Sequence, residues 1–239
     1  MLENVSLYLL VFFVLTIFCA LALFYRALIR SSSQIIRNRS GMIVIACLLW
    51  IIFQSVLSLQ NVYSSETNTL PPRIFVFGVL PSLILIIALF VSAKGRQFID
   101  SLPLFDVTLI HTIRIPVEYA LYCLFIYKTI PQLMTFEGRN FDIIAGITAP
   151  FIAYFGIKKG KLSRSLLIIW NFICIGLLFN VVIHGILSVP SPFQKFAFEQ
   201  PNIAVLYFPF SCLVSFIVPL VFFAHLITLR KLLIGQKIL

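Results

Sequence analysis

What this sequence has least of is charge. Only 11% of its 239 residues are Asp, Glu, Lys or Arg, and eight of those are acidic. A soluble domain carries about 25% charged residues, so a separate soluble domain has no room here. The five cysteines, Cys19, Cys47, Cys123, Cys174 and Cys212, make no C-x-x-C spacing and all lie in apolar runs. That reads them as small buried hydrophobes rather than disulfides or metal ligands. There are three histidines and no H-E-x-x-H pair, no phosphate-binding or dinucleotide-binding glycine pattern and no nucleophile elbow. The last apolar run has no interior lysine, which leaves a retinal Schiff base no attachment point there. The first residues, MLENVS, carry no positive charge and lead into a run too long for a signal-peptide core, so the first run is expected to stay as a span.

What fills the sequence instead is hydrophobic residues, 61% of the total. They fall into seven segments: about 5–25, 42–62, 74–93, 105–130, 143–157, 165–189 and 203–229. Each is near the ~20 residues a helix needs to cross the hydrocarbon core, the fifth being the shortest. They are continuously apolar and do not alternate in ten-residue units, which argues for helices rather than barrel strands. The expected fold is all-α: a single domain over 1–239, a bundle of seven transmembrane helices in the cell membrane.

The eighteen Lys and Arg residues divide unevenly between the loops. Thirteen lie in alternate connections and the C-terminal tail, among them Arg26, Arg30, Lys94, Lys158, Arg230, Lys231 and Lys237. Four lie on the opposite side, Arg73, Lys128, Arg139 and Lys195, and Arg114 is inside a span. Basic loops stay in the cytoplasm, so the N-terminus is expected outside and the C-terminus inside. The net charge of +10 then reads as a topology signal and a contact with anionic lipids, and no nucleic-acid partner is expected.

The fourth segment is the most informative. His111, Arg114 and Glu118 interrupt its apolar run at i, i+3 and i+7, which puts them on one helical face. A charge at membrane depth costs at least about 3 kcal/mol. Pro116, between Arg114 and Glu118, removes a helical hydrogen bond and frees a carbonyl beside them. The functional reading is a mid-membrane site in which Arg114 holds an anionic group and Glu118 balances it or carries a proton. The structural alternative is an Arg114–Glu118 ion pair that only stabilises packing. Asn180 and His184 in the sixth segment, at i and i+4, are expected to join the site. Asn171 reads as an interhelical hydrogen bond, Asp106 as a solvated end residue, and His225 as interfacial. Trp50, Gln54 and Ser58 make a polar-aromatic stripe on the second segment that faces the interior. The loop MTFEGRNFD, with Glu137, Arg139 and Asp142, is either a lid over the outer mouth or a tight interfacial turn.

No cofactor is expected. His184 lies towards the face opposite His111 and His225, so the three do not converge on zinc, and a haem between His111 and His225 would stand alone. The function that follows is small-ligand binding or transport. The alternatives are a membrane-embedded enzyme using His111 or Glu118 as acid or base on a lipid or isoprenoid, and a non-catalytic subunit of a membrane complex with a protein partner.

Overall fold

The computed structural model describes residue 2 and residues 5–235; Lys237, counted above among the basic residues, and the start of MLENVS lie outside the described residues. Among the described residues every regular element is helical. Five helices are long and apolar enough to cross a membrane: α1 (Leu7–Ile29), α2 (Gln34–Leu59), the stretch Leu104–Ile126, α8 (Arg164–Ser188) and the stretch Leu213–Leu233. Serines set where two of them begin. Ser6 Oγ accepts from the Leu9 amide and Ser163 Oγ from the Leu166 amide, each satisfying one of the amides a helix start leaves open.

The remaining apolar segments are shorter or broken. A wide turn over Phe75–Val79 leads into α3 (Leu80–Val91). The chain then bends by 93° into α4 (Ala93–Ser101). Residues 94–103, expected as a plain link, are therefore mostly a helix, started by Ser92, whose extended backbone ends α3 and whose Oγ accepts from the Gly95 amide. The stretch Leu104–Ile126 is α5 (Leu104–Leu109), a tight 3-10 turn over Ile110–Ile113, and α6 (Arg114–Ile126). α7 (Ile143–Phe151) carries Pro150 and continues as a wide turn to Lys158. The last segment starts later than expected: residues 203–209 are not part of the long helix, which opens with a wide turn over Leu213–Ile217 and continues as α9 (Val218–Leu233).

Burial orders the bundle. Of the Leu213–Leu233 stretch 72% is buried, against 11% of α2. α9 is the central element, packed against α3, α4, α5 and α8, while α1 bridges α2 to α5 and α6. The outward faces of α2 and α8 are rows of large apolar side chains, such as Leu49, Ile52, Phe172 and Ile183.

Two prolines explain the stripe on α2. Proline has no amide hydrogen, so the carbonyl four residues before it loses its helical donor. Pro81 does this to Phe77, and Pro219 to Ser215. Gln54 Nε2 donates to the Phe77 carbonyl at 2.9 Å, and Trp50 Nε1 donates to the Ser215 carbonyl at 2.9 Å. Ser82 Oγ adds a second donor to Ser215, and Ser58 Oγ donates to the Leu206 carbonyl. The stripe thus caps carbonyls exposed by the breaks in its neighbours.

At the basic end, Asp106 is not the solvated residue its position suggests. It is 3% exposed, with Arg26 of α1 at 2.8 Å and Arg30, the residue that follows α1, at 3.2 Å. A carboxylate buried among apolar helices needs cationic partners, and α1 ends beside it. Arg230 grips Asp100 with two parallel bonds of 2.9 Å.

Candidate functional site

The polar side chains of the fourth segment meet partners from three other elements. The 3-10 turn over Ile110–Ile113 brings residues three apart into register, and Arg114 follows it as the first residue of α6. Both are buried, as is Glu118. Arg114 turns away from Glu118. Its Nη1 donates to Asp142 Oδ1 at 2.6 Å, and more weakly to the Cys174 carbonyl at 3.4 Å. Its Nη2 lies 2.8 Å from His225 Nε2. The i,i+4 ion pair between Arg114 and Glu118 does not form, because Asp142 at the entry to α7 is the nearer carboxylate.

Asp142 comes from the loop after α6, which is neither a free lid nor merely a surface turn. The loop tightens at Gln132–Met134, and Gly138 packs so closely on it that a Cβ there would overlap the Gln132 carbonyl. That fold turns Asn140 and Asp142 inward and leaves Phe136 and Phe141 exposed. Asn140, fully buried, donates to Glu118 Oε1 at 2.7 Å and to the Met134 carbonyl at 3.0 Å, and accepts from the Asp142 amide.

On the other side, His225 is fully buried rather than interfacial. One turn of α9 would have taken it to the end, but α9 runs on to Leu233 and its centre is the core of the bundle. His225 Nδ1 lies 2.9 Å from Asn171 Oδ1, and Asn171 Nδ2 donates to the Leu167 carbonyl at 2.8 Å. His111 stacks face to face on His225, ring centroids 3.9 Å apart and 23° from parallel, with Trp170 edge-on at 5.7 Å. Stacked rings do not aim their nitrogens at a shared iron, so this is not the arrangement a bridging haem needs. Among the described residues no three His, Cys, Asp or Glu side chains group as a metal site.

His111, Arg114 and Glu118 are therefore brought together; Asn180 and His184 are elsewhere. α8 is uninterrupted from Arg164 to Ser188, and Asn180 lies about 13 Å beyond Asn171 along it at ~1.5 Å per residue. Asn180 Nδ2 donates to the Arg139 carbonyl in the loop. His184 Nδ1 is 2.8 Å from the Asn180 carbonyl, and its ring stacks on Phe196. The members not expected at the site are Asp142, read as part of a lid or turn, His225, read as interfacial, and Asn140. Their signals were faint: an aspartate just ahead of an apolar run, as helix starts prefer, and a glycine two residues before the asparagine.

Four buried polar atoms in this centre have no partner: both nitrogens of His111, Nε of Arg114 and Oε2 of Glu118. With a neutral His111 the chain thus offers two donors and two acceptors that its own groups leave unused. Neither the curated proteins nor the solved structures contain a match to this chain. Residues 71–233, more than half of the chain, match the domain of unknown function DUF8737. All residues of the polar centre fall within that span, and the chain belongs to the DUF8737 family.

Proposed function

We propose that this is a multi-pass protein of the cell membrane that binds a small polar ligand at the buried centre around Arg114 and Glu118, in the service of transport. In this reading seven segments span, with the N-terminus outside and the basic loops in the cytoplasm. The five long helices supply five spans; the bent pair Phe75–Val91 with Ala93–Ser101 and the shorter stretch Ile143–Lys158 supply the others.

The observation that carries the reading is the set of unpartnered atoms. An unsatisfied buried polar group costs about 1–3 kcal/mol, and four occur together on three residues of one helical stretch. A ligand with an acceptor for Arg114 Nε and a donor for Glu118 Oε2 would satisfy two of them at once. The wide turns at Phe75–Val79, Ile152–Lys158 and Leu213–Ile217 support movement, since such turns loosen the helical ladder and recur at functional sites.

The test is a density map of the protein in lipid, wild type beside Glu118→Gln. Non-protein density against Arg114 Nε and Glu118 Oε2 in the wild type, lost in the variant, is the expected result. In the same reading Arg114→Ala and Glu118→Gln abolish uptake of the ligand so identified. If both atoms are instead bonded to the chain in a dry core, ligand binding is refuted. The centre is then a clasp, a role for which the Arg114–Asp142 and His225–Asn171 contacts already suffice.

A further inference from the structure

A second candidate site lies at the basic end of the bundle, away from the buried centre. A cleft of about 500 Å³ is lined by residues at the ends of α1, α4, α5 and α9 and of the wide turn Ile152–Lys158. Three cations line it: Arg30, Lys158 and Lys231. Ser32 lies beside them, and Phe105 and Ile157 contribute an apolar wall.

The charges are not all spoken for. Lys231 is 7% exposed, and its ammonium donates to the Asp100 and Leu102 carbonyls at 3.0 and 2.5 Å. An ammonium has three protons, so one remains for a guest. Arg30, one of the lining residues, gives Nη1 to Asp106, a carboxylate that Arg26 also holds, and its side chain is 56% exposed. The Lys158 ammonium lies 6.0 and 5.7 Å from the Phe105 and Tyr154 ring centroids and forms no ion pair among the described residues. The pocket has the size of a small-molecule site, with cations at one part and apolar side chains at another.

We infer that this cleft binds a phosphate group carried on an acyl chain, that is, the headgroup of an anionic phospholipid, with the phosphate against Arg30, Lys158 and Lys231 and the chain along Phe105 and Ile157. Free phosphate shares the charged half of this chemistry but has nothing for the apolar wall. The inference rests on the membrane-spanning reading and is independent of the polar centre.

The full-length protein in an uncharged detergent is titrated with dioctanoyl phosphatidylglycerol, dioctanoyl phosphatidylcholine and inorganic phosphate, and binding is read from the thermal midpoint. Phosphatidylglycerol is expected to bind at least about fivefold more tightly than the other two. One cation near a lipid surface contributes about that factor, so Arg30→Gln and Lys158→Gln should each weaken it about fivefold. Arg26 still holds Asp106 in the first variant, and Lys158 is exposed, so both should fold. Arg39→Gln removes an exposed cation of α2 outside the cleft and should change nothing. Equal binding of the two lipids, or an Arg39→Gln effect as large as that of Lys158→Gln, overturns the site in favour of diffuse attraction. Wild-type binding in Arg30→Gln and Lys158→Gln also overturns it. Inorganic phosphate binding as tightly as phosphatidylglycerol overturns the lipid assignment and leaves a free-phosphate site.

Discussion

Arg114 and His225 face each other at 2.8 Å across the bundle, and that contact decides where a proton sits. A guanidinium only donates. His225 Nε2 must therefore accept, which places the imidazole's single proton on Nδ1. From there it donates to Asn171 Oδ1 at 2.9 Å. The result is a chain of donors running outward from Arg114, to Asp142 on one side and through His225 and Asn171 to the Leu167 carbonyl on the other, tying α6, α7, α8 and α9 together.

His225→Phe should break this chain in the middle. It leaves Arg114 Nη2 without an acceptor and Asn171 Oδ1 without a donor, two orphaned groups at about 1–3 kcal/mol each. Thermal unfolding in detergent should show a loss of about 2–6 kcal/mol. Adding Asn171→Ala to His225→Phe should cost less than the two single changes summed, because the pair shares one bond. Strict additivity would show that the contact carries no coupling.

The Arg114–Asp142 pair predicts a different pattern. Removing one partner of a buried ion pair strands the other charge and costs about 3–5 kcal/mol, whereas replacing both by apolar residues is often neutral. Asp142→Leu alone should sharply lower the yield of folded protein and its thermal midpoint. Arg114→Leu with Asp142→Leu should recover much of both, and should not recover ligand binding. A double variant worse than either single would contradict this account of the pair.

The helical pattern made His111, Arg114 and Glu118 legible as one face, because their i, i+3 and i+7 spacing survives the tightening of the helix at Ile110–Ile113. Five of the apolar segments were equally legible, since a helix that can cross a membrane needs a long run; the bend after Val91 and the late start of the last long helix were not. What could not be read locally was the company these residues keep. Asp142 and Asn140 belong to a polar loop that resembles any surface turn until the close packing at Gly138 folds it inward. Asp106 is paired by arginines about 80 residues away in sequence. His225 near the end of an apolar run reads as interfacial, and only the central position of α9 shows it to be core. Partners brought together by tertiary packing leave no periodic trace in either segment.

Asn140 makes its own prediction. One amide links Glu118, the Met134 carbonyl and the Asp142 amide. Asn140→Ala removes all three links and leaves Glu118 with neither oxygen bonded. It should destabilise the protein by about 2–4 kcal/mol, at about 1 kcal/mol per lost bond. Glu118→Gln keeps an acceptor for Asn140 and should stay within about 1 kcal/mol of the wild type by the same measurement. If Glu118→Gln destabilises as much as Asn140→Ala, the glutamate serves packing and its free oxygen has no further role.

Two glycines separate close packing from helix propensity. A Cβ on Gly146 of α7 would lie 3.0 Å from Ile115 Cγ1, 3.2 Å from Arg114 Cβ and 3.2 Å from the Ile115 amide nitrogen. Two of these three neighbours are backbone or next to it, so they cannot turn aside, and α7 must move away from α6. Overpacking of this kind costs about 1–3 kcal/mol, against the up to ~1 kcal/mol that alanine gains over glycine in a helix. Gly176 in α8 has nothing within 4 Å of the same position, so Gly176→Ala keeps the gain without the clash. Gly146→Ala should therefore lower the thermal midpoint and Gly176→Ala should hold or raise it. The shift at Gly146 also reaches the site, since α7 begins at the residue after Asp142 and Arg114 Cβ is one of the atoms displaced. Ligand binding at the polar centre should weaken in Gly146→Ala and not in Gly176→Ala. Equal stability and binding in the two variants would mean that α7 is free to slide, and that the 2.6 Å contact between Arg114 and Asp142 is not set by this helix packing.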